Sequence, residues 1–88
     1  MKKPVQLIED DNEGLVLLMN EKVTLMCLNY FYTGELVGVN DTCVKLKNPS
    51  IVYSTGDWSD KDWSDVQKLP TDTLYVQTQS IESFGVLK

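Results

Sequence analysis

The sequence predicts a mainly β protein: a short N-terminal helix followed by a small, strongly bent barrel of five strands. Three observations carry that prediction. Apolar residues alternate with a period of two along Lys22 to Leu46. Gly34 and Gly38 share one face of a single strand, where glycine permits sharp coiling and the close approach of another backbone. Polar turn residues, Asn29 and then Asn40-Asp41, divide the apolar runs at hairpin spacing.

The elements follow in chain order. Residues 1–11 carry both signs of charge and read as a loosely docked arm. Asp11 or Asn12 suits the N-cap of a helix over 12–20, with Asp11 and Glu13 near its positive end. On that helix Leu15, Leu18 and Met19 share a face, widened by Val16 and Leu17, that suits the cover of an open barrel end. In the first strand Val23, Leu25 and Cys27 point one way and Met26, Leu28 and Tyr30 the other, so both faces need covering. Asn29 and Tyr30 make the first corner, because asparagine tolerates a left-handed backbone. The second strand runs through Tyr32, Gly34, Leu36 and Gly38 to a tight turn at Asn40-Asp41, and Cys43 to Leu46 begins the third. Lys47-Asn48-Pro49-Ser50 is a turn or bulge, since proline removes a ladder donor. Ile51 to Tyr53 resumes a strand, with the third strand continuing around a bend as one reading. Residues 22–53 thus hold three strands and 54–70 a loop rich in Trp and Asp. Thr71 to Gln79 forms a fourth strand, with Leu74 and Val76 opposite Tyr75, and Ile81 to Val86 a fifth.

Composition narrows the function classes. The 88 residues make one domain and contain no apolar run long enough for a membrane span. Lys2 and Lys3 precede only a short apolar patch, Val5 to Ile8, without a small-residue cleavage site, so a cytoplasmic protein is expected. Thirteen acidic residues oppose eight lysines, for a net charge of −5, and arginine is absent. Phosphate binding is cation-driven and the guanidinium fork is its common reader, so general nucleic-acid binding is disfavoured. A local basic stripe from Lys22, Lys45 and Lys47 is the exception a symmetric oligomer would allow. The chain contains no histidine, which removes Cys/His zinc clusters and His-based acid-base or nucleophilic catalysis. Ser59, Ser64 and Ser80 have no base partner, and no phosphate loop opens a helix, so no enzyme, cofactor or metal is expected. Cys27 and Cys43 lie in apolar strand runs; they read as buried free thiols, with a cross-strand disulfide as the alternative.

The spacing of Tyr32, Gly34, Leu36 and Gly38, followed by a polar turn and an apolar strand, resembles the first motif of the Sm-like proteins. The chain is also similar to the divergent Sm-like proteins of phages, including those of cyanophage type. The resemblance covers roughly residues 12 to 86 and implies an N-terminal helix followed by a five-stranded SH3-like barrel. It also implies strand edges that pair between subunits in a homo-oligomeric ring of about five to seven copies. Two departures stand out. The turn at Asn40, Asp41, Thr42, Cys43 and Val44 is one residue tighter than the family pattern, and the second motif, near Val76-Gln77-Thr78, lacks its Arg and Gly. The family's base-binding positions carry over to Asn40, Asp41 and Thr42 beside Gln77 and Thr78. Together they imply a polar pocket for a base edge of single-stranded RNA, with modest salt dependence.

Residues 57–65 contain Asp-Trp-Ser-Asp twice at a five-residue offset. The four aspartates lack the alternation, central Gly and terminal Glu of a calcium loop. Trp58 and Trp63 either fold back on the barrel or a neighbouring subunit, or display themselves to a protein partner, as tryptophan does at interface hot spots. Two functions of different class follow. One is an Sm-like ring that binds single-stranded RNA weakly; the other is a ring-forming adaptor that holds a protein partner through Trp58 and Trp63 and has no RNA role.

Overall fold

A computed structural model of the protein describes residues 14–88. Six strands form a bent antiparallel sheet: β1 (Lys22–Cys27), β2 (Phe31–Val39), β3 (Cys43–Ser54), β4 (Asp65–Lys68), β5 (Thr73–Gln77) and β6 (Ile81–Gly85). Their order is β4-β3-β2-β1-β6, with β5 also paired to β3. The mainly β expectation is met. No ladder joins β5 to β6 among the described residues, so the bent sheet is open, with six strands where five were expected.

The long β3 explains both the bend and the extra strand. Its first half, Cys43 to Lys47, pairs with β5, and its second half, Ser50 to Ser54, pairs with β4. Asn48 at φ 51° and the buried Pro49 separate the halves. The backbone N–H of Asn48 leaves the β2 ladder and donates to the Asp72 carbonyl at 2.9 Å. The third strand therefore continues around a bend, as one reading of Ile51 to Tyr53 allowed. Asp65–Lys68 lies inside the segment expected to be loop; all four of its residues are exposed, so no alternation of burial marked it.

Both β2 glycines sit at register shifts. Thr33 pairs with Ser50 but Glu35 with Lys47, and Leu36 pairs with Leu46 but Gly38 with Lys45. A Cβ on Gly34 would lie 3.1 Å from the Lys47 carbonyl oxygen and 3.3 Å from the Pro49 Cα. The close backbone approach that glycine permits is real at this position.

Two turns differ from expectation. The β1–β2 corner is Leu28-Asn29, one residue earlier than Asn29-Tyr30, and is closed by the Cys27 N–H donating to the Tyr30 carbonyl at 3.1 Å. Met26 pairs with Phe31 beside it, which sets the register of the hairpin. The expected helix over 12–20 is, within the described residues, a five-residue 3-10 turn, Gly14–Leu18. Gly14 has φ 75° and Asn20 φ 70°, so helical geometry cannot extend through either. Asn20 instead donates to the Leu36 carbonyl at 2.7 Å, and the chain enters the sheet. The arm over 1–11 and the start of that helix lie outside the described residues.

The core is one cluster: Val23, Leu25 and Cys27 from β1, Leu36 from β2, Val44 and Leu46 from β3, and Val76 from β5. Leu15, Leu18 and Met19 pack against it, which is the covering face read from the sequence. The second face of β1 is covered only in part: Thr24 is buried and Met26 half-buried, but β1 ends at Cys27 and the expected Leu28 and Tyr30 are exposed in the corner that follows. Thr24 lies opposite Thr33, whose hydroxyl donates to the Val23 carbonyl at 2.9 Å. Both cysteines are free thiols, so the disulfide alternative is not realised. No helix among the described residues is long and apolar enough to cross a membrane.

Candidate functional site

The turn between β2 and β3 is organised by one side chain. Oδ1 of Asn40 accepts from the Thr42 N–H at 2.8 Å, the Thr42 hydroxyl at 3.0 Å and the Cys43 N–H at 2.9 Å. The Asn40 N–H in turn donates to the Cys43 carbonyl at 3.0 Å. Asparagine suits this place because its amide oxygen substitutes for a backbone acceptor.

This turn meets the end of β5. A 3-10 turn, Thr78–Ser80, joins β5 to β6. There the Thr78 N–H donates to the Thr42 carbonyl and the Thr78 hydroxyl to the Asp41 carbonyl, both at 2.9 Å. Gln77 pairs with Cys43 in the ladder. The structure thus brings together all five residues proposed for a base pocket, from two segments more than thirty residues apart. Their parts are unequal. Asn40 is consumed in ordering its own turn and Thr78 in fastening the two turns together, whereas Asp41, Thr42 and Gln77 line an open recess of about 400 Å³ with Cys43, Tyr75 and Gln79.

Tyr75, Gln79 and Lys45 were not assigned to this site from the sequence. Val44, Leu46 and Val76 face the core with Leu74 against it, so the alternate residues of the β3–β5 pair, Cys43, Lys45, Lys47, Tyr75 and Gln77, face outward. Tyr75 is 62% exposed, and the Lys45 ammonium lies 5.7 Å from its ring centroid. The alternation of β5 was the available signal: an exposed Tyr between two core residues. The expected lysine stripe is present in part. Lys22, Glu35 and Lys47 occupy one row of the sheet, so a carboxylate interrupts it, and Lys45 lies beside Tyr75.

A second groove, of about 740 Å³, opens between the unpaired sides of β5 and β6 and the β1–β2 corner. Leu28, Tyr30, Tyr32, Leu74 and Ile81 give it an apolar wall, and Leu28 at its rim is 86% exposed. Burial, and to a lesser degree the neighbouring Cys27 and the tyrosines Tyr30 and Tyr53, push the Tyr32 phenol above its ordinary pKa.

The tryptophan loop divides its pair. Trp63 is packed, at 8% exposure, and Trp58 is open, at 59%. Their rings meet edge to face with centroids 5.9 Å apart. Asp57 accepts from the N–H and hydroxyl of Ser59, both at 2.9 Å; these bonds, the backbone one first, hold its carboxyl below the usual range. Among the described residues, no three Cys, Asp or Glu side chains converge to hold a metal ion.

No protein-family model matches the chain, and a comparison with curated proteins finds no match.

Proposed function

We propose that this chain is an Sm-like protein that assembles into a homo-oligomeric ring and binds single-stranded RNA weakly on the surface around Asp41, Thr42 and Gln77. The observation that carries this reading is the pair of hydrogen bonds from Thr78 to the carbonyls of Asp41 and Thr42. They fasten the β2–β3 turn to the β5–β6 turn, the two places where the resemblance puts base recognition. Three further features support it. Side-chain amides of Gln77 and Gln79 supply both donors and acceptors for a base edge. Tyr75 offers an exposed ring for stacking, and Lys45 beside it a cation for a phosphate. The SH3-like relationship is supported by the bent sheet with its short 3-10 link between the last two strands.

Assembly follows from the sheet edges. β5 and β6 each pair along one side only, to β3 and β1, and leave the apolar groove between them. Open edges beside exposed apolar surface are aggregation-prone unless they are paired, and a cyclic assembly pairs every one of them. Net charge of −5 without arginine sets the affinity: phosphate attraction is small, so recognition depends on stacking and base edges. Native mass spectrometry at near-physiological ionic strength, without nuclease treatment, tests both parts. The expected species is a ring of about five to seven subunits carrying oligonucleotide mass. A monomer overturns the assembly, and a bare ring with no affinity for added short single-stranded RNA overturns the RNA role.

A further inference from the structure

The loop that contains Trp58 and Trp63 surrounds an ammonium group. Nζ of Lys88 lies 4.8 Å from the Trp63 ring centroid and 5.8 Å from that of Trp58. It donates to the backbone carbonyls of Asp57 at 2.9 Å, Thr55 at 3.2 Å and Asp62 at 3.4 Å. Two indole rings and three carbonyl oxygens around one cation form a complete set of partners for a primary ammonium: ring quadrupoles attract the charge, and its three N–H bonds find acceptors. The residue that fills this set is more than twenty positions away from the loop in the chain.

We propose that this loop is a receptor for a lysine ammonium, which it binds in cis through Lys88 and exchanges for a lysine side chain of a protein partner. This inference is independent of the ring and RNA readings; it gives the protein-partner alternative a chemistry. Charge complementarity names the partner. Asp57, Asp60, Asp62 and Asp65 lie in or beside the loop with a single lysine, Lys61, among them, so a basic segment is attracted to it. Trp58 is open to solvent and offers the incoming side chain a ring face, while the packed Trp63 is the floor. The indole N–H of Trp63 is buried without an acceptor.

The test uses a Gly-Lys-Gly peptide blocked at both ends, the same peptide acetylated at the lysine Nζ, and the indole N–H resonances of Trp58 and Trp63. In Lys88→Ala the unmodified peptide is expected to shift both resonances saturably, and the acetylated peptide neither. Wild-type protein needs about tenfold or more peptide for the same shift, because Lys88 competes intramolecularly. Where Lys88→Ala loses the dispersion of its indole signals, the unmodified peptide is expected to restore it. Three results overturn the proposal: no saturable shift and no restoration in Lys88→Ala, an equal response to the acetylated peptide, or equal affinity in wild type and variant.

Discussion

Gly34 has little freedom to change. Its missing Cβ would meet the Lys47 carbonyl oxygen at 3.1 Å, the Leu46 Cβ at 3.2 Å and the Pro49 Cα at 3.3 Å, none of them the end of a flexible chain. Gly34→Ala should therefore cost about 1–3 kcal/mol in urea unfolding. Gly38→Ala meets only the Lys45 Cβ, at 3.4 Å, and should change stability by less than about 1 kcal/mol. The two tryptophans separate in the same way. Trp63→Ala empties a packed site and should cost about 3 kcal/mol or more, whereas Trp58→Ala, on an open ring, should cost about 1 kcal/mol. Thiol labelling gives a further residue-level measurement. Burial raises the Cys27 pKa, so its thiolate is scarce, and Cys27 should label more slowly than the half-buried Cys43.

At the scale of elements, two turns depend on a single acceptor each. Asn40→Ala leaves the N–H groups of Thr42 and Cys43 to solvent and should lower stability by about 1 kcal/mol. If the turn also presents Asp41 and Thr42 to RNA, the same variant weakens RNA binding without dissolving the ring, a distinction that fluorescence anisotropy and native mass spectrometry read separately. The tryptophan loop should respond to pH through Asp57. Its folded pKa is depressed by the Ser59 bonds, so its contribution is fully present above the unfolded carboxylate value and is lost as pH falls through the lower folded value. Acid titration of tryptophan emission should show a transition below the ordinary aspartate range, and Asp57→Ala should remove it.

For the whole molecule, the open strand edges and the negative charge are the controlling features. An 88-residue chain buries one small core, with seven buried side chains in its main cluster among the described residues, so under the proposed assembly edge pairing between copies would add stability that the monomer lacks. The midpoint of urea unfolding should therefore rise with protein concentration; a midpoint independent of concentration would be evidence for a monomer. If the proposed RNA role holds, affinity for single-stranded RNA should fall about tenfold in Tyr75→Ala, with a shallow salt dependence that reflects few phosphate contacts.

Local chemistry determined much of this protein. The alternation of Val23, Leu25 and Cys27, the two glycines of β2 and the polar turn at Asn40 are short-range patterns, and each produced the element it implies. Leu15, Leu18 and Met19 were legible as a covering face even though the backbone beneath them is a 3-10 turn, because side-chain burial tolerates either geometry. The residues proposed for a base pocket were legible only through resemblance, and their meeting depends on Thr78 reaching carbonyls on a distant turn, which no local pattern encodes. Tertiary structure alone decided three things: the exposed strand Asp65–Lys68, which exists because the far half of β3 offers it a partner; the separation of Trp63 from Trp58; and the placement of Lys88 between them. A sequence specifies which side chains avoid water, but which cation fills an aromatic loop depends on which distant residue the folded chain brings beside it.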